Sequence, residues 1–225
     1  MTRRFPAEPV AHPDPVLPPD PDLETIHTRV YEVRAFKVSR TEFMLRGAVR
    51  DHKPAGLYVP EDPELLTIHH MMLEMRITFP GYEILEVVTN FDEFPNEVCP
   101  SIIPKYQMLV GRSIMRGFNK FARENFGGPN GCTHTTALLA AMAPVAIQVG
   151  WSMRVSNSGG FGREMRPLTP DEIALERQSA IAGNINTCHV WHEDGEHVAG
   201  LKAGRPSGLP ISVRKRRAKL GLPEA

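Results

Sequence analysis

From residue 67 to 78, apolar and polar positions trade places at almost every step. His69, Met71, Leu73, Met75 and Ile77 fall on one side, and His70, Met72, Glu74, Arg76 and Thr78 on the other. A period of two with one apolar side predicts a strand buried on one face. Upstream, Tyr31, Val33 and Ala35 alternate with Glu32 and Arg34, and Phe43, Leu45 and Gly47 with Met44, Arg46 and Ala48. Residues 26–51 therefore predict two strands joined by a hairpin near Ser39, Arg40 and Thr41. Pro80-Gly81 marks a turn, and residues 82–90, with Ile84, Val87 and Val88, predict a fourth strand. Four strands with short connections imply an antiparallel meander.

After Pro104 the period lengthens. Tyr106, Leu109, Val110, Ile114, Phe118 and Phe121 follow helical spacing until the Gly127-Gly128-Pro129-Asn130-Gly131 stretch breaks it. A second helix is predicted from about Cys132, with Leu138, Met142, Val145 and Val149 on one stripe and Pro144 expected to kink or divide it. Residues 156–166 read as a glycine-rich loop. Thr169 then caps a third helix, with Pro170 in its first turn, Glu172 three residues after the cap and Gly183 as its stop. Asp194-Gly195 reads as a hairpin turn. Strands first and helices afterwards define an α+β class, a sheet of about four antiparallel strands with helices packed on one face.

Composition adds boundaries. The first 22 residues contain seven prolines and read as a disordered head; residues 206–225 form a basic tail with Arg214, Lys215, Arg216, Arg217 and Lys219. Residues 23–205 remain for a single α+β domain. Basic and acidic residues balance at 26 each, which argues against nucleic acid or an anionic membrane as partner. No apolar leader follows Arg3 and Arg4, and no run reaches the ~20 apolar residues of a membrane span. With three cysteines, an odd number, the expected setting is the reducing cytoplasm, where thiols bind metals, react or stay buried.

The most informative segment is Gly131-Cys132-Thr133-His134, a thiol opening a helix after a glycine-rich turn. Backbone N–H groups and the dipole at a helix N-terminus favour thiolate. His134 lies four residues before Leu138 and shares its inward stripe, so Cys132 and His134 are expected to meet. They can do so as metal ligands or as nucleophile and base; the plain alternative is a buried thiol beside a capping histidine. Cys99, fixed by Pro95 and Pro100, is a second ligand or a structural thiol. Cys188-His189 with His192 forms a third cluster. The full metal set would be Cys99, Cys132, His134 and Cys188, with zinc or iron the expected ion and a metal-free site the alternative. His69, on the apolar side of its strand, is a general acid/base or a hydrogen-bonded core residue. The glycines at 159, 160 and 162 match no phosphate loop, since no Gly-Lys-Ser/Thr follows.

His69 ahead of its alternating strand, Cys99, Leu109-Val110-Gly111, Gly117-Phe118, Gly131-Cys132-Thr133-His134 and Cys188-His189 together resemble a bacterial family catalogued as domain of unknown function 2889. The resemblance covers roughly residues 26–195. It directs attention to Cys99, Cys132 and His134 and implies no particular substrate. The order of elements, with a cysteine opening a helix, is also similar to iron–sulfur scaffolds of the IscU/NifU type.

The expected function is a small-molecule enzyme of lyase or acid/base type on an aromatic or acyl compound. It would use Cys132, His134 and His69, in a pocket that Met71, Leu73 and Met75 would line. A metal or iron–sulfur carrier and a non-catalytic ligand-binding domain are the alternatives. A homodimer is the default assembly.

Overall fold

The structure is a computed structural model and describes residues 15–115, 117–158, 169–205 and 208–222. Its contacts divide the chain into two compact units, Met1–Arg154 and Val155–Ala225.

The first unit is built on one antiparallel sheet in the order β1-β2-β3-β4. Its strands are β1 (Thr28–Lys37), β2 (Glu42–Lys53), β3 (Leu66–Thr78) and β4 (Ile84–Glu93). Each alternating run became a strand, with the alternating residues on the two faces the period assigned. On the inner face Phe43, Leu45, Val49, Leu73, Met75 and Ile77 are within 1% of full burial. The outer face carries cross-strand ion pairs such as Arg46 with Glu74 and Arg76 with Glu42. Met71, Leu73 and Met75 are buried in the core.

The helices cover the inner face. A single long helix after Pro104 is not formed. Cys99–Leu109 winds as a 3-10 segment, and α1 spans only Phe118–Phe126. Pro100 and Pro104 lack the N–H that an α-helix needs, and Gly111 and Gly117 take positive φ values of 78° and 81° that end helical geometry between the two pieces. Helix α2 (Thr133–Ser158) begins one residue after Cys132 and runs through Pro144 undivided. It is long and apolar enough to cross a membrane by composition. Here that apolar length is spent on the core, through Leu138, Leu139, Met142, Ala146 and Met153. Gly47 permits the close approach of α2: a Cβ built there would lie 2.7 Å from Met142 Sδ and 3.2 Å from Leu138 Cδ1.

The second unit contains α3 (Pro170–Asn184), α4 (Glu196–Lys202) and α5 (Ile211–Lys219). The Thr169 carbonyl accepts the Ile173 N–H at 3.0 Å, as the predicted cap requires. Gly183 stays inside α3, which ends one residue later. Asp194-Gly195 joins a 3-10 turn to α4 rather than two strands. The basic run expected as a tail is helical as α5. The described part of the proline-rich head, residues 15–22, is exposed and forms no helix or strand. Residues 159–168, most of the expected glycine-rich loop, lie outside the described residues.

Candidate functional site

The inner face changes character at one end of the sheet. Past Val49 and Met71, the next inward positions on β2 and β3 are Asp51 and His69, and these two are direct cross-strand partners. Arg29 on β1 is the partner of Asp51 on its other side. One row across three strands therefore reads Arg29, Asp51, His69. His134, from the first turn of α2, is stacked on the ring of His69, with centroids 3.8 Å apart and planes 29° from parallel.

Asp51 is the hub. Its side chain is 1% exposed, an environment a carboxylate tolerates only when paired. Arg29 supplies a bidentate clamp, Nε to Oδ1 and one terminal nitrogen to Oδ2, both at 2.6 Å. His69 Nδ1 lies 2.9 Å from Oδ2. His134 Nε2 is 3.5 Å from the same oxygen, and His27 Nε2 is 3.4 Å from Oδ1, both ion-pairing rather than close hydrogen-bonding distances. The Arg29 hydrogen bonds hold the Asp51 carboxyl far below the ordinary carboxylate range, against the opposing pull of burial. Asp51 likewise raises Arg29. Each group thus holds the other in its charged form.

That pair fixes the imidazoles. A carboxylate only accepts, so His69 Nδ1 carries the proton it shares with Asp51, and Nε2 is left as the lone-pair nitrogen. Burial, and then the neighbouring His134, push the His69 pKa down, outweighing the pull of Asp51. His134 is also lowered, by burial first and Arg29 second. Both shifts favour the uncharged form of the stacked rings. The His69 and His134 side chains are 18% and 20% exposed, so ring edges remain accessible to a small molecule.

Cys132 approaches from the other side of His134, with Sγ 3.7 Å from Nδ1. The contact is local. The Cys132 carbonyl accepts the first bond of α2 from the Thr136 N–H, so its side chain leans over the helix start toward the residue two positions on. Its own N–H donates to the buried Tyr106 hydroxyl at 3.1 Å, which pins the backbone. With His134 Nε2–H toward Asp51, Nδ1 is free to accept from the thiol. Cys132, His134 and Asp51 thus form a line of thiol, imidazole and accepting carboxylate.

The structure brings together three of the residues singled out from sequence, Cys132, His134 and His69. Cys99 is half-buried against the core, and Cys188 is exposed in the second unit beside the turn at His189–Trp191. Among the described residues, the convergent group of donors suited to a metal is Asp51, His69 and His134, with all three ligand atoms within 4.8 Å of one another. Asp51, Arg29 and His27 were not singled out beforehand. The signal for Asp51 was present: it continues the inward series Phe43, Leu45, Gly47, Val49, where an acidic residue needs a reason.

Fold and site together define an α+β protein with a carboxylate-anchored pair of histidines at one end of its sheet. Residues 27–148, which carry all of these groups, match the family described as Protein of unknown function (DUF2889), and the chain belongs to that family. No curated protein and no solved structure matches it.

Proposed function

We propose that the protein is a cytoplasmic enzyme that moves protons on a small organic molecule, in lyase-type or other acid/base chemistry on an aromatic or acyl compound. The observation that carries the proposal is that one buried carboxylate, already neutralised by arginine, orients two uncharged imidazoles with lone-pair nitrogens directed away from it. His69 Nε2 takes the proton from the substrate. Asp51 stabilises the imidazolium that results, and Arg29 prevents the proton from passing to Asp51. His134 and Cys132 supply the second proton-bearing arm, which returns a proton to the leaving or rearranged group. An ordinary structural histidine needs one partner. Two stacked histidines on one carboxylate carry a desolvation cost that a core would avoid with leucine.

A metal-assisted version rests on the two-histidine, one-carboxylate donor set, which suits zinc or iron. Arg29 weighs against it, because both Asp51 oxygens are engaged and the guanidinium repels a dication. Metal analysis of the purified protein and its Asp51→Asn variant separates the two versions. Carrier function would need convergent thiols; among the described residues Cys132 reaches this group, while Cys99 lies against the core and Cys188 is exposed in the second unit.

The direct test is proton NMR of aromatic and acyl compounds bearing an acidic hydroxyl or C–H, incubated with wild type, His69→Gln and His134→Gln. The expected result is conversion by wild type and a loss of about 10²–10⁴-fold in rate in each variant. A His69→Gln protein that turns over at the wild-type rate sinks the proposal.

A further inference from the structure

The two edges of the sheet are finished differently. On β4, Ile84 exchanges hydrogen bonds with the chain that follows the 3-10 segment: its N–H donates to Arg112 O and its carbonyl accepts from the Gly111 N–H, both at 2.8 Å. The Gln107 amide adds a bond to Val87 O at 2.9 Å. Ile84, Val87 and Phe91 of this strand are buried. β1 has none of this. It pairs only with β2, and among the described residues no backbone bond reaches the outer rim of residues 28–36. None of its residues is buried, and Val30, Tyr31 and Phe36 are 46%, 40% and 40% exposed. A ten-residue edge with exposed apolar side chains is what pairing with another strand requires, and what isolated proteins usually blunt.

The sequence of β1 indicates which strand fits. A two-fold axis perpendicular to the sheet pairs β1 antiparallel with β1 of a second copy and keeps the helices of both on one side, so residues of equal parity must face each other. Centred on Val33, the pairing sets Glu32 against Arg34 and Val30 against Phe36, each twice, on the outer face. On the inner face it sets Tyr31 against Ala35 and Val33 against itself. The end pair is Arg29, already neutralised by Asp51, against Lys37. Shifting the centre to Glu32 or Arg34 sets like charges opposite each other. Opposite-charge and aromatic–aliphatic cross-strand pairs are the favourable ones in antiparallel sheets.

We infer that β1 is a homodimer interface, in which two copies pair their first strands about Val33 into one continuous sheet. This inference rests on the strand edge and not on the acid/base chemistry proposed above. It has a consequence for that chemistry all the same: the strand that would be clamped carries Arg29, the residue that holds Asp51.

The test is charge exchange, read as molecular mass by light scattering across a dilution series of the full chain. Wild type is expected to be dimeric. Glu32→Lys alone and Arg34→Glu alone each put two like-charge pairs across the interface and are expected to weaken self-association roughly thirtyfold. Mixing the two single variants makes every pair complementary again, so they should form a mixed dimer, and the double variant should recover wild-type mass. The mixed dimer also guards against misreading a misfolded single variant, since a protein that had lost its fold would not be rescued by its counterpart. A monomeric wild type overturns the inference. So does a dimer indifferent to both single changes, because its interface would lie elsewhere. Turnover by a monomer would leave the chemistry standing while removing the dimer.

Discussion

The inner face of β2 and β3 is two surfaces in sequence. From Phe43 to Val49 and from Met71 to Ile77 it is apolar and sealed. Two residues further along the same strands it becomes Asp51 and His69, joined by Arg29 and His134, with no change in backbone period. The first stretch holds the sheet to α2. The second is stabilised by charge pairing, which is a poor way to hold a fold together, since well-packed hydrophobic residues of similar volume are often as good or better. Polar groups kept where apolar ones would serve stability are the contrast on which the proposed function rests.

That contrast can be broken by measurement. The largest expected effect is on rate: His69→Gln or His134→Gln should lower turnover by about 10²–10⁴-fold while leaving the thermal midpoint near wild type. Leu73→Ala, two inward positions away from His69, should do the opposite. It should cost about 2–5 kcal/mol by chemical denaturation with no specific effect on the pH dependence of turnover. Asp51→Ala should destabilise by about 2–3 kcal/mol, less than a fully buried broken pair because a third of Arg29 reaches solvent, and it should also abolish turnover. The combined change Arg29→Met, Asp51→Leu, His69→Leu should recover most of that stability but none of the activity. A triple variant less stable than Asp51→Ala would show that the polar end is structural after all.

Smaller effects concern pH. The folded-state pKa values of His69 and His134 lie below the ordinary imidazole value of about 6.5, so the unfolded chain binds these protons first as the pH falls. Their contribution to stability is therefore complete above about pH 6.5 and is lost progressively below it. Asp51, also depressed, adds a second loss below the ordinary carboxylate value of about 3.9. Urea titrations at stepped pH should show both phases, and Asp51→Asn should lack the lower one. Arg29→Met removes the cation that helps hold His134 neutral and leaves the Asp51 charge uncompensated. Both changes raise the imidazole pKa values, which an NMR titration of the ring protons would follow.

The sheet was legible because alternation is written one residue at a time: β2 and β3 need no knowledge of their neighbours to be recognised as half-buried strands. The segment at 99–109 was not legible in the same way. Its apolar spacing is compatible with an α-helix, but two prolines and the glycines beyond favour a tighter, shorter winding. Pro144, expected to kink or divide its helix, does not divide it, since the packing of α2 on the core outweighs one missing backbone bond. At the site, the contact between Cys132 and His134 could be anticipated because it is local. The row Arg29, Asp51, His69 could not, because it depends on strand register, which a one-residue slip would destroy. Cys99 drew attention through its flanking prolines, yet those prolines shape the 3-10 segment and leave its thiol beside the core.

Gly47 acts as a spacer of minimal thickness between β2 and α2. It lies on the strand that carries Asp51, and the side chains that close on it, Leu138 and Met142, lie one and two turns along the helix that carries His134. The approach of the two elements that carry Asp51 and His134 thus has a tight point remote from both, at position 47. A single methyl there would meet the ends of the Met142 and Leu138 side chains, so those side chains must shift or α2 must yield, while every group of the site stays in place. Position 47 is therefore a place where the geometry of the proposed site can be altered without touching any of its side chains.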